Sequence, residues 1–265
     1  MQRVSFRNSR GLRLVGNFFP SDSTAVVIMA HGFTSDKSSR GRFDRIAQSL
    51  NEFGYNALAF DFSGCGESDN DSLTTAKQVD DLTAAIAYVK SRNFSPIALL
   101  GHSLGSLICL RAYSPEVATM ILTGALTGAM HYKWDEYYSP EQLRELAEMG
   151  FLTIPQNVGH RQEVIVESQM LKDFAEIDQP KLLSRVECPV LIIHGDNDSE
   201  ERQLLERSRQ GLHYLPKESR LEAIPGANHS FLNHMDRVVD LILAWLTEYL
   251  PHSLTGGSDC VSDHR

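Results

Sequence analysis

The sequence predicts an α/β protein with a doubly wound, mostly parallel sheet of eight strands. Short apolar runs of strand length alternate with amphipathic helical segments along most of the 265 residues. Two of these runs, A-V-V-I-M-A at 25–30 and Y-N-A-L-A-F at 55–60, are almost entirely apolar, which is typical of strands buried on both faces. Buried parallel strands that are separated by helices form a sheet with helices on both sides.

The predicted elements follow one another in a regular order. Eight segments are predicted as strands, the first two as an antiparallel pair: residues 3–7, 13–19, 25–30, 55–60, 97–100, 117–122, 189–194 and 220–224. Five segments are predicted as helices: residues 42–53, 75–92, 104–113, 199–211 and 233–250. Ligands bind beyond the carboxyl ends of the strands in such a sheet. We therefore expect the loops after the third, fourth, fifth, seventh and eighth predicted strands to face one common site.

Residues 125–185 interrupt the alternation. They contain an aromatic and acidic stretch, H-Y-K-W-D-E-Y-Y, and a helical stretch, S-P-E-Q-L-R-E-L-A-E-M-G. The alternatives are an inserted cap and a decorated crossover, and the length favours a cap because crossovers are usually far shorter. We predict one domain over residues 1–250, with a cap at about 125–185, and a disordered tail at 251–265.

Composition limits the classes of function. The chain is 42% hydrophobic, enough for a large core, and its net charge of -9 without a long basic run argues against nucleic-acid binding. We see no signal peptide and no apolar segment near the roughly 20 residues that span a bilayer. The four cysteines lie far apart, which argues against a zinc site or a disulfide framework. We expect a cytoplasmic protein that needs no metal or cofactor and binds neither nucleic acid nor membrane.

Ser103 is the candidate nucleophile. It is the central residue of G-H-S-L-G at 101–105, which follows a predicted strand and precedes a predicted helix. A G-x-S-x-G motif in this position forms a tight, strained turn that projects the serine hydroxyl into the site. The neighbouring backbones approach so closely that only glycine is expected to fit at 101 and 105. The alternative is a fortuitous match to a common pattern.

A serine hydroxyl needs a base, and the base needs an acid that orients it. In this architecture the acid and then the histidine follow the serine along the chain. H-G-D-N-D at 194–198 and N-H-S-F at 228–231 each follow a predicted strand, which makes His229 the predicted base. Asp198 is preferred over Asp196 as the acid because it lies further round the loop. Asp196 is then expected to accept hydrogen bonds from loop amides.

Two backbone amides are predicted to stabilise an oxyanion. One belongs to Leu104, the residue after the nucleophile, and the other to Phe33 in the H-G-F-T loop after the third strand. Such donors typically contribute about 3 kcal/mol each. His31 is expected to be structural. The loop D-F-S-G-C-G-E-S-D at 61–69 is expected to shape the adjacent wall, since it lacks the glycines and lysine of a phosphate-binding loop.

Five motifs in order resemble those of the α/β-hydrolase fold family: H-G-F at 31–33, D-F-S-G-C-G-E-S at 61–68, G-H-S-L-G at 101–105, H-G-D-N-D at 194–198 and N-H-S-F at 228–231. The chain is most similar to small cinnamoyl and feruloyl esterases and to the serine aminopeptidase-like group. In the cinnamoyl esterases, cap residues grip the aromatic acyl ring. The resemblance thus implies substrate contacts for Asp135, Tyr137, Tyr138 and Gln142, with a solvated cap surface as the alternative.

These observations predict a serine hydrolase that cleaves small carboxylic esters through an acyl-enzyme. The same triad also serves thioesterases, aminopeptidases, C–C bond hydrolases and acyltransferases, so those alternatives stay open. A non-catalytic, hydrolase-like binding protein is a further alternative, although such proteins usually lack a member of the triad. The oligomeric state is open, and a homodimer is one option.

Overall fold

The computed structural model describes residues 1–156 and 159–251. Eight strands form the main sheet: β1 (Gln2–Arg7), β2 (Arg13–Phe19), β3 (Val26–Ala30), β4 (Asn56–Phe60), β6 (Ile97–His102), β7 (Val117–Thr123), β10 (Val190–Gly195) and β11 (Arg220–Ile224). Their order across the sheet is β1-β2-β4-β3-β6-β7-β10-β11. Only the pairs β1–β2 and β2–β4 are antiparallel in this sheet. The predicted fold class, a mostly parallel eight-stranded sheet, is confirmed.

Helices cover both faces of the main sheet. In chain order the helices are α1 (Arg42–Glu52), α2 (Thr75–Ser91), α3 (Leu104–Arg111), α4 (Pro140–Met149), α5 (Ser168–Ala175), α6 (Gln179–Leu183), α7 (Ser199–Gly211) and α8 (Met235–Tyr249). Three of them, α4 to α6, lie in the segment between β7 and β10. Alternate side chains of β3 enter different cores: Ile28 packs with residues of α2 and α3, whereas Val27 packs with residues of α1 and α8. This two-sided burial explains the continuous apolar run at 25–30, because a strand in the middle of a covered sheet has no solvent-facing side.

The segment between β7 and β10 contains more regular structure than the sequence indicated. Besides α4, α5 and α6 it holds β8 (Phe151–Pro155) and β9 (Glu163–Glu167). The short strand β5 (Ser72–Leu73), which follows the β4 loop, pairs with β9, so a second sheet of order β5-β9-β8 joins the insertion to the body. Leu152, Val166 and Met170 are buried in the same core cluster as the main sheet. The predicted tail, apart from Pro251, lies outside the described residues.

Within residues 1–156 and 159–251, no helix combines the length and the apolar character that crossing a bilayer requires.

Candidate active site

Ser103 lies on a strained turn between β6 and α3. Its φ of 53° and ψ of -124° place a non-glycine residue in a sparsely populated backbone region. A Cβ at Gly101 would lie 2.6 Å from the carbonyl oxygen of Gly105, and a Cβ at Gly105 would lie 2.0 Å from that of Ala30. These distances confirm that only glycine fits at both positions. The serine is partly exposed at the carboxyl edge of the sheet.

His229 connects Ser103 to a buried carboxylate. It lies in the loop after β11, and its Nε2 is 2.9 Å from the Oγ of Ser103. Its Nδ1 is 2.6 Å from an Oε of Glu201. The ring packs against Gly124, where φ is +54° and an added Cβ would lie 2.8 Å from the imidazole Cε1. The structure thus forms an uninterrupted hydroxyl–imidazole–carboxylate chain at the edge predicted from the sequence.

The carboxylate that contacts the imidazole of His229 belongs to Glu201. The expectation that Asp198 contacts the imidazole is wrong. Asp198 is the N-cap residue of α7, and its Oδ1 accepts a hydrogen bond of 2.7 Å from the amide of Glu201. Its Oδ2 accepts one of 2.9 Å from the backbone amide of His229. Both carboxylate oxygens of Asp198 therefore accept hydrogen bonds from backbone amides, and the carboxylate that contacts the imidazole ring is that of Glu201. Asp196 accepts from the Gly226 amide at 2.7 Å, as expected for a loop residue.

Glu201 is fully buried in the first turn of α7 and serves two histidines. Its second oxygen lies 2.7 Å from Nδ1 of His194 and accepts a bond of 3.0 Å from the amide of Gly195. His194 is also fully buried, and its Nε2 is 2.9 Å from the Oγ of Ser208. Burial opposes the charge of Glu201, but the hydrogen bonds from His194 and His229 outweigh it and lower the pKa to about 2. Glu201 is therefore ionised at neutral pH.

A third histidine, His102, packs beside the catalytic candidates and is held neutral. Its ring centroid is 5.2 Å from that of His229, and its Nδ1 is 3.0 Å from the Oγ1 of Thr123. Burial, followed by the nearby charge of Arg42, lowers the pKa of His102 well below its ordinary value. Such a low pKa makes His102 a weak base, and the imidazole that contacts the Ser103 hydroxyl is that of His229.

Phe33 lines the cavity beside Ser103, and Leu104 directly follows Ser103; neither backbone amide donates in the turn and loop hydrogen bonds of the described residues. Leu104 is the first residue of α3, where N–H groups have no intrahelical acceptor. The Phe33 loop lies directly against the nucleophile, since a Cβ at Gly32 would be 3.2 Å from the Cβ of Ser103. Their role as an oxyanion hole stays a prediction.

His31 holds that loop in place. Its Nδ1 is 2.9 Å from the carbonyl oxygen of Gly32, and its Nε2 accepts a bond of 3.3 Å from the amide of Phe62. Burial lowers its pKa, so the ring is neutral and can accept that bond. The structural role expected for His31 agrees with these contacts.

A cavity of about 920 Å³ opens above Ser103 and His229. One wall comes from the loop at 32–42 and another from the insertion, which contributes Gln156, His160 and Arg161. Gly66 also lines it, in agreement with the expectation that the 61–69 loop shapes a wall. No group of three or more His, Cys, Asp or Glu side chains in the described part of the chain is arranged to hold a metal ion.

The four cap residues suggested by the resemblance do not line this cavity. Asp135 is exposed, and Tyr137 is 58% exposed with its ring edge-on to Tyr132 at 5.9 Å. Tyr138 stacks on Trp134 at 5.8 Å. Gln142 caps the start of α4 and donates a bond of 2.8 Å to the carbonyl of Thr153. Tyr137, Tyr138 and Gln142 thus contact other residues of the insertion, and Asp135 faces solvent.

The comparisons with known proteins agree with this architecture. Residues 27–241 match a family model described as the alpha/beta hydrolase family. The monoglyceride lipase homolog of Monkeypox virus is 30% identical over 112 residues, which are 40% of this chain and 40% of that protein. The 2-hydroxy-6-oxononadienedioate/2-hydroxy-6-oxononatrienedioate hydrolase of Klebsiella pneumoniae is 32% identical over 114 residues, 41% of this chain and 39% of that protein. Both matches thus span less than half the length of the relative.

A solved structure of Est1E from Butyrivibrio proteoclasticus with bound ferulic acid superposes with a TM-score of 0.72. The alignment covers 93% of this chain and 99% of that chain at 22% sequence identity. A likeness at this identity shows that the two chains share a fold.

Proposed function

We propose that this chain, which belongs to the alpha/beta hydrolase family, is a serine hydrolase that cleaves carboxylic esters through an acyl-enzyme. The observation that carries the proposal is the chain of contacts from the Ser103 hydroxyl through His229 to Glu201, with distances of 2.9 and 2.6 Å. A nucleophile within hydrogen-bond reach of a base that is itself held by an ionised acid is the arrangement that activates a serine at neutral pH.

Each residue then has a defined role in the reaction. The Oγ of Ser103 attacks the ester carbonyl carbon while Nε2 of His229 accepts the hydroxyl proton. The amides of Leu104 and Phe33 donate to the oxyanion of the tetrahedral intermediate. The intermediate collapses to the acyl-enzyme as His229 gives the proton to the leaving alcohol. Glu201 keeps the imidazole proton on Nδ1 and stabilises the imidazolium.

The second half of the reaction reuses the same groups. Water enters in place of the alcohol, and His229 accepts one of its protons as the oxygen attacks the acyl carbonyl. The resulting tetrahedral intermediate releases the carboxylic acid, and Ser103 takes back its proton from His229. No step requires a group other than the triad, the two amides and water.

Support for an ester rather than another acyl compound comes from the relatives. The matched Monkeypox virus protein is named a monoglyceride lipase homolog, and lipases cleave esters. A feruloyl or cinnamoyl ester is one candidate substrate, since the Est1E structure holds ferulic acid. Thioesters, amides, C–C bonds and acyl transfer remain the alternatives on the same triad. An assembled nucleophile, base and acid argues against a non-catalytic binding protein.

The proposal is tested with matched substrates. We expect p-nitrophenyl acetate and butyrate to give a burst of p-nitrophenol close to the enzyme concentration, followed by slower turnover, because p-nitrophenol is a good leaving group and deacylation then limits the rate. A naphthyl ester should be cleaved with a higher kcat/KM than the corresponding aminoacyl-naphthylamide. Methyl ferulate tests the feruloyl candidate. An enzyme that cleaves the naphthylamide and spares the esters would contradict the proposal.

Activity should depend on pH through His229. Burial lowers the pKa of His229, but the hydrogen bond and the charge of Glu201 exceed that effect and raise the pKa above its ordinary 6.5. Only the neutral imidazole accepts the serine proton, so kcat/KM should rise with pH through an apparent pKa above 6.5 and then level off. The measurement is kcat/KM for a neutral p-nitrophenyl ester between pH 5 and 9. A profile that is flat across this range, or that falls as pH rises past 7, would contradict this assignment.

A further inference from the structure

The wall of the cavity next to His229 carries positive charge that the protein leaves without a carboxylate partner. Arg40, on the loop that enters α1, and Arg42, the first residue of α1, line this wall, and Arg161 lines the cavity from the insertion. Among the described residues, none of the three forms an ion pair with an acidic side chain. Most of the other arginines among the described residues form an ion pair with an acidic side chain.

Arg42 is the most informative of the three because it is only 8% exposed. Its Nη1 donates a bond of 2.9 Å to the carbonyl of Ser230, and its Nη2 donates one of 3.0 Å to the Oγ of Ser39. Its Nε is buried and has no hydrogen-bond partner. Burial, with a smaller effect of Arg40, lowers the pKa of Arg42 to about 10, so the group is still charged at neutral pH. A buried cation with only neutral acceptors is costly unless an anion joins it.

The acidic groups in the cavity do not supply that anion. Asp36 and Asp198 are the carboxylates that line it. Asp36 accepts bonds of 2.9 and 3.2 Å from the amides of Ser38 and Ser39. Both carboxylate oxygens of Asp198 accept hydrogen bonds, one from the amide of Glu201 and one from the amide of His229. Each carboxylate is therefore held by backbone N–H groups and not by a guanidinium.

The position of Arg42 indicates which part of a substrate meets it. Arg42 holds the carbonyl of Ser230, the residue that follows His229. His229 must deliver its proton to the leaving oxygen, so the alcohol portion of an ester lies on the His229 side of Ser103. The arginine wall is therefore on the leaving-group side. Nη1 and Nη2 of Arg42 each have a second N–H beyond the bonds to Ser230 and Ser39, and two parallel N–H groups of a guanidinium can bind a carboxylate end-on.

We propose that the preferred substrate is an ester whose alcohol portion carries a carboxylate, and that Arg42, assisted by Arg40, binds this carboxylate. The inference rests on the proposed ester hydrolysis, because it assigns the leaving group of that reaction. Arg42 supplies the buried, directional contact. Arg40 is exposed at the mouth of the cavity and adds attraction for the same charge. The two arginines thus act as specificity residues and take no part in bond cleavage.

The test compares two esters of the same shape, 3-acetoxybenzoate and 3-acetoxybenzamide, which differ only in the charge of the leaving phenol. We expect kcat/KM to be about tenfold or more higher for the carboxylate, mainly through a lower KM, because charge-assisted hydrogen bonds are the stronger kind. Arg42→Gln should remove this preference, and Arg40→Gln should reduce it by about threefold or more. Phenyl adipate monoester and its amide place the charge on the acyl side instead and should show no comparable preference.

Arg45→Gln is the matched control. Arg45 lies on α1 within one turn of Arg42, is exposed, pairs with Asp236 and does not line the cavity. Its replacement removes the same charge from the same helix, and the carboxylate preference should persist. Thermal unfolding identifies an Arg42→Gln variant that fails to fold. In that case two other measurements test the carboxylate site. One is the effect of Arg40→Gln, and the other compares 3-hydroxybenzoate with 3-hydroxybenzamide as competitive inhibitors of the wild type.

The outcomes separate this inference from the proposed function. Equal hydrolysis of the two acetoxy esters, or an equal response to Arg40→Gln and Arg45→Gln, would overturn the carboxylate site and leave the esterase proposal intact. A preference confined to the adipate pair would also overturn it, because the anion would then lie on the acyl side. If neither ester is cleaved, the esterase proposal fails. The carboxylate site then stands only if 3-hydroxybenzoate binds the wild type more tightly than 3-hydroxybenzamide and Arg42→Gln removes the difference.

Discussion

Replacing Glu201 by glutamine is expected to lower kcat/KM for ester hydrolysis by about 10⁴-fold, the scale of loss when the carboxylate of a serine triad becomes an amide. The amide can donate to Nδ1 of His229 and so favour the tautomer whose proton is on Nε2, where it cannot accept from Ser103. The charge that stabilises the imidazolium is also lost. The measurement is kcat/KM on a neutral p-nitrophenyl ester, with circular dichroism to verify the fold.

Two matched variants complete this experiment. Glu200→Gln changes the neighbouring carboxylate, which accepts a bond of 2.8 Å from the hydroxyl of Tyr132 and does not contact His229. Asp198→Asn keeps one oxygen for the N-cap bond of α7 but places an NH2 group against the second amide, so it should cost about 1–3 kcal/mol of stability. We expect both variants to keep kcat/KM within about tenfold of the wild type, since neither carboxylate contacts the ring. A 10⁴-fold loss in Asp198→Asn with an active Glu201→Gln would restore Asp198 as the acid and contradict the account.

Removal of the Ser103 hydroxyl should have the largest effect. Ser103→Ala deletes the only atom that forms the covalent bond to the acyl group, and loss of a serine nucleophile typically costs about 10⁶-fold in kcat. The substitution removes one atom from a partly exposed side chain and leaves the glycines of the turn in place, so the fold should persist. Ester turnover and thermal unfolding are measured together.

Ser230→Ala is the control for Ser103→Ala. Ser230 lines the same cavity next to His229, and its Oγ donates a bond of 2.7 Å to Asn228. Its loss should leave kcat within about tenfold of the wild type, because the hydroxyl contacts none of the three triad side chains. Turnover by Ser103→Ala at a rate similar to that of Ser230→Ala would rule out Ser103 as the nucleophile.

The nucleophile and the base could be predicted from the sequence because their requirements are local. G-H-S-L-G must sit between a strand and a helix, and the clash distances at Gly101 and Gly105 show why no larger residue is accepted there. His229 likewise follows the last strand of the sheet at a fixed place. Each assignment depends on the residues that flank the serine or the histidine within a few positions. It also depends on the order of the strands, which the pattern of apolar residues indicates.

The acid could not be assigned by loop position alone. Asp198 and Glu201 are three residues apart, and the sequence does not state which carboxylate turns to the ring and which caps the helix. The position of Glu201 on α7 was nevertheless a signal that it is the acid. Glu201 shares a helix face with Leu204, Leu205 and Ser208, all of them buried. A glutamate on the buried face of a helix needs a partner, and two histidines at strand ends were available for it.

The cap was the least predictable part because its contacts are distant in sequence. Strand β9 pairs with β5, whose residues lie about ninety positions earlier, and no local pattern indicated this sheet. The resemblance implied that Tyr137 and Tyr138 contact a substrate, yet both rings contact Trp134. The charged wall of the cavity depends equally on tertiary structure, because Arg42 looks from the sequence like one member of a solvated helix start.

Covalent labelling is the most direct test of Ser103 as a nucleophile that His229 and Glu201 activate. A fluorophosphonate probe is incubated with the wild type, Ser103→Ala and Glu201→Gln, and the modified peptide is identified by mass spectrometry. We expect one adduct on Ser103 in the wild type, none in Ser103→Ala and a much slower reaction in Glu201→Gln. An adduct on another residue, or equal labelling of the wild type and Ser103→Ala, would contradict that role of Ser103.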